Sequence, residues 1–142
     1  MAEYINFVNG DWQPASKSTV SLYDAGFLLG DGLFETIRFR NGRLFQLEKH
    51  LKRLHSGLNI IQIELDKSNT ELISCLEEMV IRNDIRSGLL RLMITRGKIK
   101  GTPWNFTGIP NVYISIRPLT EEPKEPVKVV FYPEGKYPII RF

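Results

Sequence analysis

At 142 residues the chain is long enough for one domain with a sizeable core, since a domain of this length buries roughly two thirds of the surface its unfolded chain exposes. A hydrophobic share of 42% and a charged share of 25% argue against disorder. The net charge of +3 comes from 19 basic residues scattered among 16 acids; this argues against a nucleic-acid binder and leaves small anions as the ligands a mildly basic surface favours.

Residues 4–14 are two short apolar runs joined by Asn9-Gly10, a hairpin signal because both central positions of a type I′ turn need positive φ. Residues 15–21 are a polar connector. Asp24 to Arg38 then reads as loop chemistry, with Gly26, Gly30 and Gly32, feeding a strand over about residues 33–40. Asn41-Gly42 repeats the hairpin signal, and the chain returns through Arg43 to Gln46.

From Leu47 the period changes. Leu47, Leu51, Leu54, Leu58 and Ile61 are spaced four, three, four and three, an apolar stripe on an α-helix. His50, Arg53 and Gly57 fall together on one flank of it. Gly57 is out of place in a helix interior unless something approaches the backbone there. A second helix starts at Ser68, where Ser68 and Glu71 make a capping-box pattern; Leu72, Leu76, Met79 and Val80 are its apolar stripe, and Asn83-Asp84 ends it. Cys75 in this helix reads as an ordinary, mostly buried residue. Strand-like segments follow at Gly88–Thr95, Asn111–Pro118 and Val127–Tyr132. A basic loop, Arg96 to Trp104, separates the first two, and the charged, proline-bearing stretch 121–126 is a surface connector. The order β-β-β-β-α-α-β-β-β predicts an α+β domain, a mostly antiparallel sheet with two helices packed on one face.

The candidate site begins in the first of these strands. Phe34, Thr36 and Arg38 are two apart and share one strand face, and an aromatic wall, a hydroxyl and a cation in line suit a small anionic ligand. No metal site is expected. One cysteine gives neither a disulfide nor a thiolate cluster, and His50 and His55, five apart, do not stack as a helical pair. With no leader-like N-terminus and no run of eighteen apolar residues, the expectation is a cytoplasmic protein without membrane partners.

Taken together, Asp24-x-Gly26-Phe27, Gly30-Asp31-Gly32-Leu33-Phe34-Glu35, Asn41-Gly42-x-Leu44-Phe45, His50-Leu51-Lys52-Arg53-Leu54 and Thr95-Arg96-Gly97 resemble class IV, or fold-type IV, pyridoxal-phosphate enzymes. These include branched-chain aminotransferases, D-amino-acid aminotransferases and 4-amino-4-deoxychorismate lyases. The resemblance implies the N-terminal domain of such an enzyme, with pyridoxal 5′-phosphate as cofactor and amino acids and 2-oxo acids as substrates. It implies that Arg53 contacts the cofactor phosphate, a role that suits a permanently charged guanidinium with paired donors. By the same likeness Phe34, Thr36 and Arg38 line the substrate side, and Arg96 with the Lys98-Lys100 loop helps build the substrate carboxylate site. Where D-amino-acid aminotransferases carry Tyr, this chain has Phe34, and where many relatives read Asp-Arg-Gly it has Asp24-Ala25-Gly26.

In the family the cofactor is held by a lysine in a Lys-Ser/Thr-x-Asn-like context. No such motif occurs before Phe142, and Lys136, followed by Tyr137-Pro138, does not match it. The expectation is therefore a single N-terminal domain over residues 1–142, inactive alone, of a two-domain enzyme whose C-terminal domain, carrying the catalytic lysine, is absent. Aminotransferase is the first reading and aminodeoxychorismate lyase the second. A non-catalytic binding or dimerisation domain is the reading from another class, and a homodimer is the assembly the family implies.

Overall fold

The computed structural model describes residues 3–102, 104–106, 108–120 and 125–130. Strands β1 (Ile5–Val8), β2 (Asp11–Pro14), β3 (Gly32–Arg40), β4 (Arg43–Leu44), β5 (Ser87–Thr95) and β6 (Asn111–Pro118) form one six-stranded sheet in the order β2-β1-β6-β5-β3-β4. Every pairing in it is antiparallel. The helices are α1 (Ala25–Leu29), α2 (Leu47–Ile60) and α3 (Asn69–Asn83), with one 3-10 turn at Ala15–Lys17.

Both predicted hairpins form. Asn9 and Gly10, like Asn41 and Gly42, take positive φ and join Val8 to Asp11 and Arg40 to Arg43 across two-residue turns. The α2 stripe also behaves as its spacing demands, with Leu51, Leu54 and Leu58 buried; α3 buries Leu72, Leu76, Met79 and Val80. These two helices cover one sheet face, meeting Ile37 and Phe39 of β3, Leu90, Leu92 and Ile94 of β5, and Ile114 and Ile116 of β6. Removing large aliphatic side chains of this kind from water stabilises by about 1.5–3 kcal/mol each. The capping box is complete: Ser68 Oγ accepts from the Glu71 amide, and the Ser68 amide donates to the Glu71 carboxylate at 2.8 Å.

Two expectations are corrected. Residues 127–130 of the predicted Val127–Tyr132 strand have no strand geometry, and Val127, Val129 and Val130 are exposed, with no neighbouring strand among the described residues; residues 131 and 132 lie outside the described residues. β-branched side chains favour extension but do not supply a ladder partner. The stretch read as a loop before β3 also contains the short helix α1. The Asp24 carboxylate accepts from the Gly26 and Phe27 amides and caps it, and Gly30 at φ 68° closes it.

Candidate active-site wall

Period-two alternation divides β3 between the two sheet faces. Glu35, Ile37 and Phe39 face the helices and are buried, whereas Phe34, Thr36, Arg38 and Arg40 face the open side. The sequence-predicted trio Phe34, Thr36 and Arg38 therefore does share one surface. Register places Met93 opposite Phe34, Arg91 opposite Thr36 and Leu89 opposite Arg38. The Arg91 guanidinium carbon lies 4.5 Å from the centroid of the Phe34 ring, a cation stacked on an aromatic face. Phe34 stands between two depressions. One, of about 390 Å³, is lined by Val20, Phe27, Leu33, Phe34, Met93, Ile94 and the Asp24–Tyr113 floor; the other, of about 180 Å³, is lined by Thr36, Leu89, Arg91, Ser115, Ile116 and Arg117.

The opposite face of β3 holds the densest electrostatics of the region. Glu35 is only 4% exposed and receives the Arg53 Nε on Oε1 at 2.7 Å and the Arg53 Nη2 on Oε2 at 2.5 Å, while His50 Nδ1 lies 2.7 Å from Oε2. The flank of α2 that carries His50 and Arg53 is thus docked on one buried carboxylate. The paired Arg53 guanidinium, reinforced by His50, holds the Glu35 carboxyl below its ordinary value against the opposing effect of burial, and Glu35 in turn raises Arg53. Two guanidinium nitrogens are committed in a fork, yet the Arg53 side chain is 71% exposed, which leaves Nη1 to face an incoming anion in a fixed orientation. β4 pairs with Phe39 and Arg40, and the Phe45 amide donates to the Arg38 carbonyl at 2.8 Å, so among the described residues β3 from Gly32 to Ile37 is a free sheet edge on that side. A ligand at this edge can reach the Phe34 surface and the Arg53 end of α2 together.

Gly57, on the same flank, is explained from within the chain. A Cβ there would lie 2.6 Å from Leu33 Cδ1, so the group that approaches the helix backbone is the Leu33 side chain.

Arg96 sits elsewhere. Its Nε and Nη2 donate to Asp31 at 2.6 and 3.1 Å, Nη2 and Nη1 donate to the Ile61 and Gln62 carbonyls at 2.6 and 2.9 Å, and its guanidinium lies 5.0 Å from the Phe106 ring centroid. A cation at the carbonyl end of α2 complements the helix dipole. The Arg96 side chain ties the end of α2 to the turn before β3 and to the loop after β5, away from the trio on the open face.

Asp24 is a second fully buried carboxylate. Besides capping α1 it accepts from Thr95 Oγ1 at 2.8 Å, Asn111 Nδ2 at 2.5 Å and Tyr113 Oη at 3.1 Å. Those three side chains share the open face, so this carboxylate clamps the α1 segment over one end of it. Burial, and then the Asp24 charge, push the Tyr113 phenol well above its ordinary value, so the hydroxyl stays a donor to Asp24.

Sequence reasoning had not singled out Glu35, Arg91 or Asp24 as site residues. Glu35 carried a signal, a carboxylate at a core-facing position between Ile37 and the glycine turn. Arg91 carried none, because only the β3–β5 register sets it beside Phe34.

Residues 32–138 match the sequence profile of the amino-transferase class IV family, and the chain belongs to that family, with the α+β fold of its N-terminal domain. It is 43% identical over 90 residues to a D-alanine aminotransferase of Bacillus licheniformis, covering 63% of this chain and 32% of that protein. It is 34% identical over 91 residues to a putative branched-chain-amino-acid aminotransferase of Methanocaldococcus jannaschii, covering 64% and 32%. The fold resembles a solved branched-chain amino acid aminotransferase of Escherichia coli, with a TM-score of 0.76 at 21% identity, over 83% of this chain and 42% of that one. It also resembles a branched-chain aminotransferase of the archaeon Thermoproteus uzoniensis solved with norvaline, with a TM-score of 0.74 at 22% identity, over 84% and 42%. Another solved branched-chain amino acid aminotransferase of this fold, at a TM-score of 0.76 and 20% identity, holds pyridoxamine 5′-phosphate. The chain spans about a third of the length of the curated relatives it matches.

Proposed function

We propose that this chain is the domain of a pyridoxal-phosphate-dependent aminotransferase, acting on amino acids and 2-oxo acids, that grips the cofactor phosphate and forms one wall of the substrate site. The observation that carries the reading is the Glu35–His50–Arg53 cluster: a guanidinium held in a fork by a buried carboxylate, exposed on its remaining side, at the edge of the strand that presents Phe34, Thr36 and Arg38. These residues fit the cofactor. Arg53 would hold its phosphate, Glu35 and His50 would fix the Arg53 orientation, and on the open face Arg38 and Arg91 would bind anionic substrate against the Phe34 ring. The cofactor, when bound, supplies an electron sink for the carbanion formed on the substrate. The lysine that carries it would come from a second domain, and the protein would work in the cytoplasm.

A homodimer is part of the same proposal. Leu22, Tyr23, Phe27, Leu28 and Leu29 are exposed together around α1, an apolar patch of the kind that marks a protein contact.

The cofactor reading is tested by titrating the ¹⁵N-labelled chain with pyridoxal phosphate and with pyridoxal. The phosphorylated compound is expected to shift the amides from His50 to Gly57, and Arg53→Gln to weaken it about tenfold, the loss expected of one charge-assisted hydrogen bond. Equal shifts with pyridoxal, or no effect of Arg53→Gln, would sink the assignment.

A further inference from the structure

Asp31, Leu33 and Glu35 are two apart at the start of β3, and Arg53, Gly57 and Ile61 are four apart along α2. Each member of the first set meets one of the second. Glu35 receives Arg53, the Leu33 side chain lies against Gly57, and Asp31 shares the Arg96 guanidinium with the Ile61 carbonyl. Two strand residues advance about 6.7 Å and four helical residues about 6 Å, so the two elements keep step and their seam is held at three successive levels.

The levels differ in kind. The buried leucines of α2 hold it to the sheet, but apolar contact is non-directional and lets a helix slide or roll slightly; hydrogen bonds are directional and oppose that motion. The polar levels are the two outer ones, the Glu35–His50–Arg53 cluster and Arg96. Among the described residues no side chain caps the N-terminus of α2. At its other end Arg96 makes two hydrogen bonds to Asp31 and one each to the Ile61 and Gln62 carbonyls. Gln62 has a φ of 55°, a conformation that a non-glycine residue keeps where its surroundings hold it. The Arg96 side chain is 21% exposed against 71% for Arg53: the shielded guanidinium is the anchor, and the open one is the gripping end.

We propose that Arg96 is a positioning residue for Arg53: by fixing the carbonyl end of α2 to the turn before β3, it keeps the Arg53 guanidinium in its fork on Glu35 and so sets the grip on an anion without contacting it. The consequence for cofactor binding rests on the reading of Arg53 as the phosphate ligand; the alignment of Arg53 on Glu35 does not.

The test uses the ¹⁵N-labelled 142-residue chain, titrated with pyridoxine 5′-phosphate, which carries the phosphate without an aldehyde that reacts with lysines. Two quantities are read: affinity, from the amides of His50 to Gly57, and water exchange of the Arg53 Nε proton, which the bond to Glu35 shields. In Arg96→Gln the affinity is expected to fall about fivefold, the scale of one misaligned hydrogen bond, and the Nε proton to exchange several-fold faster. Arg96→Lys, which keeps the charge but not the planar fork, should fall between the parent and Arg96→Gln. Asn83→Ala is the control for lost stability alone, because Asn83 ties α3 to the Ile5 backbone away from this seam; both quantities should stay at their parent values. Parent-like Nε exchange in Arg96→Gln, an undiminished affinity where the parent binds, or equal changes in Asn83→Ala would overturn the proposal. If the melting curve shows Arg96→Gln to be unfolded, Arg96→Lys decides by the same two readouts. A parent chain that shows no phosphate response at His50–Gly57, while Arg96→Gln still speeds Nε exchange, would defeat the phosphate reading alone.

Discussion

Glu35 faces the core side of β3 yet carries a charge, and that charge is maintained by two neighbours on α2, Arg53 and His50. Its folded-state pKa lies below the ordinary 4.5, so its contribution to stability is fully present above about pH 4.5 and is lost as pH falls through the depressed value. Glu35→Gln should lower unfolding stability at neutral pH by about 1–2 kcal/mol, a figure kept modest because its arginine partner is largely exposed and screened. The deficit should shrink toward zero in acid, because the parent loses the same interaction there. Urea midpoints of the two proteins between about pH 7 and pH 3 check this; parallel curves would show that the carboxylate charge is not the stabilising feature.

Among the elements, β5 is the strand on which the wall depends. It pairs with β3 on one side and β6 on the other over most of its length, and it carries Arg91 and Met93 outward and Leu90, Leu92 and Ile94 inward. Its first contacts are tight: a Cβ on Gly88 would lie 2.3 Å from the Arg117 carbonyl oxygen and 2.8 Å from Phe39 Cζ. The carbonyl is backbone and Phe39 is fully buried, so neither can yield cheaply. Gly88→Ala should destabilise the protein by about 2–3 kcal/mol, the range of overpacked cores, read from chemical denaturation; a change under half a kcal/mol would mean that the strands part there without penalty. The helices show how much of such packing is written locally. The four-three spacing of the α2 leucines and the Ser68–Glu71 box predicted both helices within a residue or two, because helix pattern and capping depend on neighbours in sequence. Residues 127–130 show the opposite case: strand-forming composition does not by itself make a strand.

For the molecule as a whole, the proposal divides the chemistry between two domains. This chain would supply the phosphate grip and a substrate wall, and the cofactor-bearing lysine would lie outside it. Accordingly, the chain mixed with pyridoxal phosphate, an amino-acid donor and 2-oxoglutarate should show no transamination above the rate of the free cofactor. Borohydride reduction of the chain with pyridoxal phosphate should leave no single lysine stoichiometrically labelled in peptide mass spectra. Turnover, or one fully labelled lysine, would contradict the division.

The sequence by itself determined the two hairpins, the two long helices, the capping box, the shared face of Phe34, Thr36 and Arg38, and the motifs that resemble the class IV family. Each of these is set by residues close along the chain, through turn φ angles, a period of about 3.6 or a period of two. The tertiary structure alone decided that Arg96 ends up on Asp31 and the α2 carbonyls, that Asp24 clamps α1 to Thr95, Asn111 and Tyr113, and that Arg91 and Arg117 join Arg38 on one surface. Those outcomes depend on strand order and register, which bring together residues many positions apart and which no local spacing encodes. The physical reason is the same at the wall itself: alternation along β3 aims its side chains, but only the pairing of β3 with β5, and of β5 with β6, determines what stands beside them.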